Sequence, residues 1–342
     1  MIFQRALLRE FSHSAAAVFV ALFAVPVAGT RAMVQDLFMV LTMLVLALNW
    51  NILAGFAGLV SVGQQAFVGI GAYAMFAGVL LWGWDPVAAI ILGGLAALAL
   101  SVPMAFFAFR LHGAYFAIGT WVVAEVTRLL VAQWRALGGG TGTSLPRQVT
   151  ANIWGVDWVA DLFDVRQAAA RDILAYWLAL ALCILTIGAI YWLLRSRTGL
   201  ALAAVRDNDE AARSVGVDAR RVKWLVFLAA GFMTGLVGAL IYMQTARISP
   251  DAAFSVTTWT AYVIFIVVIG GIGRLEGPIL GVLVFWALQT TFASYGSWYL
   301  FALGVIAIVV MIFAPRGLWG LVADRTGLAL FPVQRRLVID KT

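Results

Sequence analysis

Apolar residues run along this 342-residue chain in long blocks instead of alternating with polar ones, and the blocks match the roughly 20 residues needed to cross a hydrocarbon core. They fall at 14–29, 33–54, 60–82, 86–109, 114–136, 173–194, 224–246, 256–272, 277–295 and 297–314. Lipid offers backbone groups no hydrogen-bond partner, so such blocks predict helices. The expected fold is an all-α, polytopic integral membrane helical bundle with about ten transmembrane helices, formed by residues 1–342 as one transmembrane domain. The first block follows Arg5 and Arg9, as the core of a signal peptide would. Glu10 and the poor cleavage context at Pro26 to Ala28 predict instead that it is kept as a span.

Two polar stretches interrupt the pattern. The first, 137–172, opens with Gly138-Gly139-Gly140-Thr141-Gly142 and continues through Pro146, Trp154, Asp157 and Trp158. Its length suggests a functional or flexible loop, and its tryptophans suit a membrane interface. It either rests there as a lid or receives an external partner. The second, 196–223, is a charged island predicting one short helix. Asp207 is the expected N-cap, with Glu210 three residues on reaching back to it. Asn208 and Asp209 add negative charge at the positive end of the helix dipole. Ala211 and Ala212 favour helix, and Gly216 is placed to end it in a left-handed conformation. Two turns are too short to be stable unsupported, so the helix must pack on something. The plainer alternative is a solvated connection whose arginines only set topology.

Charge then fixes the direction of the spans. With the amino terminus inside, the inner segments hold Arg5, Arg9, Arg110, the seven basic residues from Arg195 to Lys223, Arg274, and the five from Arg316 to Lys341. The outer segments hold Arg31, Arg147, Arg166, Arg171 and Arg247, while Arg128 and Arg135 fall within a predicted span. This excess is what the positive-inside preference demands, so both termini and the 196–223 island are expected in the cytoplasm and 137–172 outside.

Composition excludes more than it proposes. Hydrophobic residues make up 63% of the chain and charged ones 11%, against about 45–50% and about 25% in soluble domains. The net charge of +7 is spread along span borders and forms no basic soluble domain, so nucleic acid is not an expected partner. One cysteine, Cys183, and two distant histidines, His13 and His112, give neither a disulfide framework nor a metal or catalytic site. No phosphate-binding loop of the G-x-x-x-x-G-K-[ST] kind occurs, so energy must come from other subunits. No cofactor is expected.

Several ordered words carry a resemblance. They are Asn49-x-Asn51-Ile52-Leu53-Ala54-Gly55-x-x-Gly58-Leu59-x-Ser61-x-Gly63-Gln64-x-Ala66-Phe67 and Gly71-Ala72-Tyr73, followed by Arg197-Thr198-Gly199 and Arg206-Asp207-Asn208-x-x-Ala211-Ala212-x-x-x-Gly216. Then come Gly235-x-x-Gly238-Ala239-Leu240, Ile248-Ser249-Pro250 and Gly270-Gly271-Ile272-Gly273-x-x-x-Gly277-Pro278. In this order they resemble the permease subunit of branched-chain amino acid ABC importers, the larger of the two membrane subunits. The resemblance implies a multi-pass bacterial inner-membrane protein with no enzymatic activity of its own. Its implied partners are a second permease, two cytoplasmic ATPase subunits and an external substrate-binding protein. It also implies that Glu210, Ala211, Ala212 and Gly216, flanked by Arg206, Asp207 and Asn208, form the helix that couples to the ATPase. The substrate class it implies is branched-chain or related amino acids.

The glycine-rich run from Gly55 to Tyr73 suits a broken or closely packed helix better than a regular one. Breaks within a membrane are tolerated where protein or a watery cavity surrounds them, and in transporters they often frame the substrate route. Asn49, Asn51, Ser61, Gln64, Gln65 and Glu125 are therefore the candidates to line it. The Gly231/Gly235 and Gly277/Gly281 pairs read as packing contacts. Glu125 is the carboxylate nearest the middle of a span, and no other acid is expected at its depth. It is either a structural partner of Arg128, one turn on, or the coupling residue of an ion-gradient-driven carrier, the competing functional class.

The topology is testable by labelling. A cysteine near Asn152 is expected to react with an impermeant thiol reagent from outside, and one at Ala219 only after permeabilisation. The opposite pattern overturns the assignment of sides.

Overall fold

The computed structural model describes residues 22–26, 29–292, 296–326 and 331. It confirms the all-α membrane architecture. Eight helical segments are long and apolar enough to cross a membrane, and a ninth, Gly277–Phe292, is 16 residues long. At 1.5 Å per residue that ninth helix spans about 24 Å, short of a core about 30 Å thick. Most of the predicted first block lies outside the described residues.

At the centre is α1, Arg31–Asn51, capped by Thr30 and buried without interruption from Val40 to Asn51. A helix apolar on all faces belongs inside a bundle, and α1 is enclosed by its neighbours. It passes into a π-helical turn, Ile52–Phe56, and the chain then runs irregularly until α2, Gln64–Trp82, begins. The predicted span at 60–82 therefore starts as unwound chain, because Gly58, at φ +69°, cannot continue a right-handed helix. Next come α3, Pro86–Ala108, and α4, Ala114–Ala132. Since α4 stops at Ala132, Arg135 belongs to the connection that follows and not to a span.

That connection is better ordered than its composition suggests. It holds β1 (Thr143–Ser144), α5 (Arg147–Ala151) and α6 (Val156–Phe163), with Val156 and Val159 buried and Trp154 and Trp158 exposed. Helix α7 follows at Gln167–Arg195, beginning before the predicted edge at 173. The island folds as α8 (Arg197–Asp207) and α9 (Asp209–Ser214), and α10 spans Ala219–Thr245. Strand β2, Arg247–Ile248, pairs antiparallel with β1, setting Thr143 opposite Ile248. Beyond it, α11 (Pro250–Ala253), a π-helical turn (Thr257–Ala261) and α12 (Tyr262–Gly270) make one broken span. The described chain closes with α13 (Gly277–Phe292), α14 (Ser297–Phe313) and α15 (Gly317–Thr326).

Glycine lets these helices meet backbone to backbone. In lipid, apolar side chains gain nothing by leaving one apolar medium for another, so close packing must drive association. A Cβ on Gly71 would lie 2.7 Å from the Gly235 Cα, and one on Gly238 would lie 2.7 Å from the Val68 Cα. Gly93 of α3 abuts the Gly71 carbonyl, so α2, α3 and α10 form one tightly seated trio. The Gly231/Gly235 and Gly277/Gly281 pairs are packing contacts as expected. Gly231 meets Ser101, and Gly281 meets the Ile266 carbonyl.

A buried carboxylate that the block pattern placed in the outer loop also secures the bundle. Asp172, 3% exposed, accepts from Arg31 Nε at 2.6 Å, Gln35 Nε2 at 2.9 Å and Gln244 Nε2 at 3.4 Å, joining α7 to α1 and α10. Ala219 is only 1% exposed, so for the labelling experiment Val215, 76% exposed, is the accessible position on that side.

Gly238→Val is expected to destabilise the purified protein by about 1–3 kcal/mol or more, as overpacking does. Gly188 in α7 has open space around it, and Gly188→Ala should stabilise by about 0.4–1 kcal/mol. Thermal unfolding in detergent reads both. Equal effects would contradict the close seating of α10 on α2.

Candidate functional site

The 196–223 segment, which the sequence predicted as one short helix, is built from two short helices meeting at Asn208. Ser196 caps α8, its Oγ accepting from the Thr198 amide at 3.1 Å, and Gly199, Leu202 and Val205 form the buried face. At Asn208 the backbone is extended (φ −160°, ψ 115°), and its Oδ1 accepts from the amides of Glu210 and Ala211, both at 3.0 Å. Asn208, not Asp207, is thus the N-cap, and Glu210 receives the cap instead of reaching back to it. The physical reason is that Asp207 is the last helical residue of α8, and a cap needs non-helical backbone. Asp207 instead accepts from Arg206. Gly216 (φ +85°) ends the segment in the left-handed conformation expected of it.

Helix α9 buries one side chain. Ala212, 2% exposed, packs against Val205 and Ala219, while Glu210, Ala211, Ser214 and Val215 are exposed and Arg213, also exposed, borders a cleft next to α10. Lys223 Nζ sits 2.6 Å from Asp209 Oδ2 and fastens α9 to α10. The Arg206 Nη1 donates to the Gly55 carbonyl at 3.3 Å. Through that bond the segment touches the π-helical turn where α1 breaks.

The break itself is held by Asn51. Its Nδ2 donates to the Arg274 carbonyl at 2.8 Å and its Oδ1 accepts from the Gly273 amide at 2.8 Å. Gly55 abuts the Gly273 backbone, which leaves no space for a side chain. Trp50 Nε1 donates to the Ser61 carbonyl at 2.8 Å, and the Ser61 Oγ accepts from the Gly63 amide at 3.2 Å. Gln64 Nε2 donates to the Leu46 carbonyl at 2.9 Å, and Gln65 accepts from the Thr260 hydroxyl of the second broken span. Asn49 Nδ2 donates to the Val45 carbonyl one turn back at 2.9 Å, beside a void of about 80 Å³ shared with Thr186 and Met233. These five candidates are all buried. Four of them tie loosened backbone or the two broken spans together, and Asn49 sits apart on the α7 and α10 side.

Glu125 is the exception, with 40% of its side chain exposed. Its carboxylate receives Arg128 Nη2 at 2.6 Å and Nε at 3.0 and 3.1 Å. Asp251 Oδ1 lies 2.7 Å from Arg128 Nη1, so a second acid does share this depth. Spacing along the chain hid it, because Asp251 stands just after Pro250 at the start of a broken span. On the neighbouring α2, the buried Tyr73 hydroxyl and Gln64 Oε1 have no hydrogen-bond partner among the described residues.

The comparisons with known proteins agree with this geometry. A family described as branched-chain amino acid transport system / permease component matches residues 32–315. The high-affinity branched-chain amino acid transport system permease protein LivM of Escherichia coli is 29% identical over 291 residues, covering 80% of this chain and 67% of that protein. The corresponding LivM of Salmonella typhimurium is 28% identical over 309 residues, 86% of this chain and 71% of its own. A shorter match, 30% identical over 131 residues, covers 36% of this chain and 40% of the ribose import permease protein RbsC of Bacillus subtilis. A membrane bundle with its helix breaks clamped from within, matched along most of its length by this family, leaves one conclusion: the chain belongs to the permease components of branched-chain amino acid transport systems.

Proposed function

We propose that this permease is the transmembrane subunit of an ABC importer that passes branched-chain or related amino acids, delivered by an external binding protein, and is driven by two separate ATPase subunits. A second permease completes the core. The chain crosses the bacterial inner membrane ten times with both termini in the cytoplasm, 137–172 outside and 196–223 inside. The observation that carries the reading is α9, a capped and glycine-terminated helix that buries Ala212, pins Asp209 to Lys223 and leaves Glu210, Ala211, Ser214 and Val215 exposed. A helix of 6 residues holds its shape only when packed on both sides, and the chain itself covers one. The ATPase subunit supplies the other, with Glu210, Ala211 and Gly216 in the contact and Arg206, Asp207 and Asn208 shaping it. Arg206 then relays displacement of α9 to the carbonyl of Gly55 and so to the break in α1.

The substrate path runs beside the two broken spans, where Ser61, Gln64 and Gln65 gather and Asn51 holds the turn. Glu125 faces it from α4, and Asn49 lies near its edge. The half-exposed Glu125 keeps one rival reading in view, a carrier driven by an ion gradient. Two charged neighbours argue against it. A carboxylate that gives two contacts to Arg128, which also holds Asp251, is built as a fixed counter-ion.

Bulk on the outward face of α9 tests the docking. Ala211→Trp should leave expression and membrane insertion intact yet reduce ATP-driven uptake of radiolabelled leucine at least tenfold in cells carrying the cognate subunits. Ala212→Trp is the less informative change, because Ala212 is buried and its enlargement disrupts α9 directly. Full uptake by Ala211→Trp would remove the docking assignment.

Glu125→Gln tests the energy source. The amide keeps a hydrogen bond to Arg128, and Asp251 still balances the guanidinium, so most uptake should remain and should survive collapse of the proton gradient while ATP is maintained. Glu125→Ala is the wrong experiment, since a guanidinium stripped of a partner is itself costly. Abolished uptake in Glu125→Gln, together with gradient dependence in the parent protein, would replace the ABC reading with the carrier.

A further inference from the structure

Beside α9 the chain forms an open cleft of about 980 Å³, at the upper end of the roughly 300–1,000 Å³ typical of small-ligand sites. It lies where α3 ends, α4 begins and α10 begins, so it sits at the level where membrane spans meet water. Its walls combine two kinds of surface. Five cations line it, Arg110, Arg206, Arg213, Arg220 and Lys223, against two acids, Asp207 and Asp209. Both acids are engaged, Asp207 with Arg206 at 3.1 Å and Asp209 with Lys223 at 2.6 Å. Arg110, Arg213 and Arg220 consequently have no ion-pair partner among the described residues. The other surface is apolar: Phe106 and Leu111, both exposed, continue the lipid-facing side of α3 into the cavity. Arg110 stacks over the Phe106 ring at 4.4 Å, holding its charge at the junction of the two surfaces.

We propose that this cavity is a binding site for an anionic phospholipid whose phosphodiester is held by Arg110, Arg213 and Arg220 while an acyl chain follows Phe106 and Leu111. Guanidinium groups pair with phosphate oxygens through charge-assisted hydrogen bonds, and basic recesses at span ends suit anionic headgroups. Asp209 Oδ1 is buried and has no hydrogen-bond partner among the described residues. It gives the lining an acceptor for a headgroup hydroxyl, which favours phosphatidylglycerol over a headgroup without donors. The occupied site would brace α9 from the membrane side, opposite the face it shows to solvent. A soluble phosphate compound shares the phosphate chemistry but makes no use of the apolar wall.

The test is lipid retention by the purified full-length chain, measured by native mass spectrometry after exposure to equal amounts of phosphatidylglycerol and phosphatidylcholine. One phosphatidylglycerol should be retained in preference. Arg220→Gln should weaken that retention about fivefold, and Arg110→Gln with Arg220→Gln about 25-fold, the effect of roughly one surface cation each. Arg221→Gln is the control, because Arg221 is paired with Asp218 and lies outside the cavity lining. Unchanged thermal stability in phosphatidylcholine shows that the variants fold. Three results overturn the assignment. These are equal retention of both lipids, retention unaffected by the arginine changes, and displacement of the phosphatidylglycerol by excess inorganic phosphate, which would make it a soluble-anion site. Loss of the lipid on adding the ATPase subunits would also overturn it, giving the cavity to acidic residues of that partner. None of these readouts depends on uptake, so the docking assignment for α9 stands or falls separately.

Discussion

A turn packed against a bundle must give its amides and carbonyls to partners within the protein, and for the turn after α12 that partner is the side chain of Asn51. Its amide group closes on both the Gly273 amide and the Arg274 carbonyl, with donor and acceptor each used once. The last residue of α1 thereby satisfies the turn between α12 and α13 across 222 and 223 positions of sequence. Gly55 makes the approach possible, since any side chain there would collide with Gly273. Without this clamp the Gly273 amide and the Arg274 carbonyl would lose their partner, at about 1–3 kcal/mol for each group left buried and unpaired.

Broken spans need rigid surroundings, and the trio of α2, α3 and α10 provides them. Its contacts are carbonyls and α-carbons brought together at Gly71, Gly93, Gly235 and Gly238. Such contacts have one correct geometry and cannot slide by rotamer changes, unlike leucine packed on leucine. Movement is more readily accommodated around the π-helical turns at Ile52–Phe56 and Thr257–Ala261, where the regular ladder is already interrupted. Arg206 reaches the first of these turns from the end of α8, and Gln65 joins the unwound region to the second.

Charged groups within the bundle divide into two sorts. Asp172 is almost completely buried and is satisfied by Arg31, Gln35 and Gln244, a knot that fixes three helices at their ends. Glu125, Arg128 and Asp251 are paired but open on one side, with Asp251 83% exposed. Charges so open at membrane depth are not stable against lipid chains. That face of α4 and α11 therefore belongs against water or a protein partner.

The sequence by itself determined the fold class, most span positions and the existence of a short helix in the charged island. Each depends on local properties: block hydrophobicity for the spans, and the acidic turn, alanines and closing Gly216 for the helix. Local reading also recognised that 55–73 was broken or closely packed, and both descriptions hold for different glycines. What it lacked was the identity of partners distant in the chain. Asp207 was the expected cap until α8 was seen to consume it, which passes the role to Asn208. Asp251 joined Glu125 and Arg128 only because two spans met, and Asp172 passed for a loop residue because α7 starts earlier than its apolar block. Polar residues marked as path candidates, Asn51 and Gln65 above all, became clamps once their partners 195 or more positions away were in place. Hydrophobicity and caps are written in neighbouring residues, whereas hydrogen-bond partners across a bundle are chosen by helix packing, and only the tertiary structure decides that.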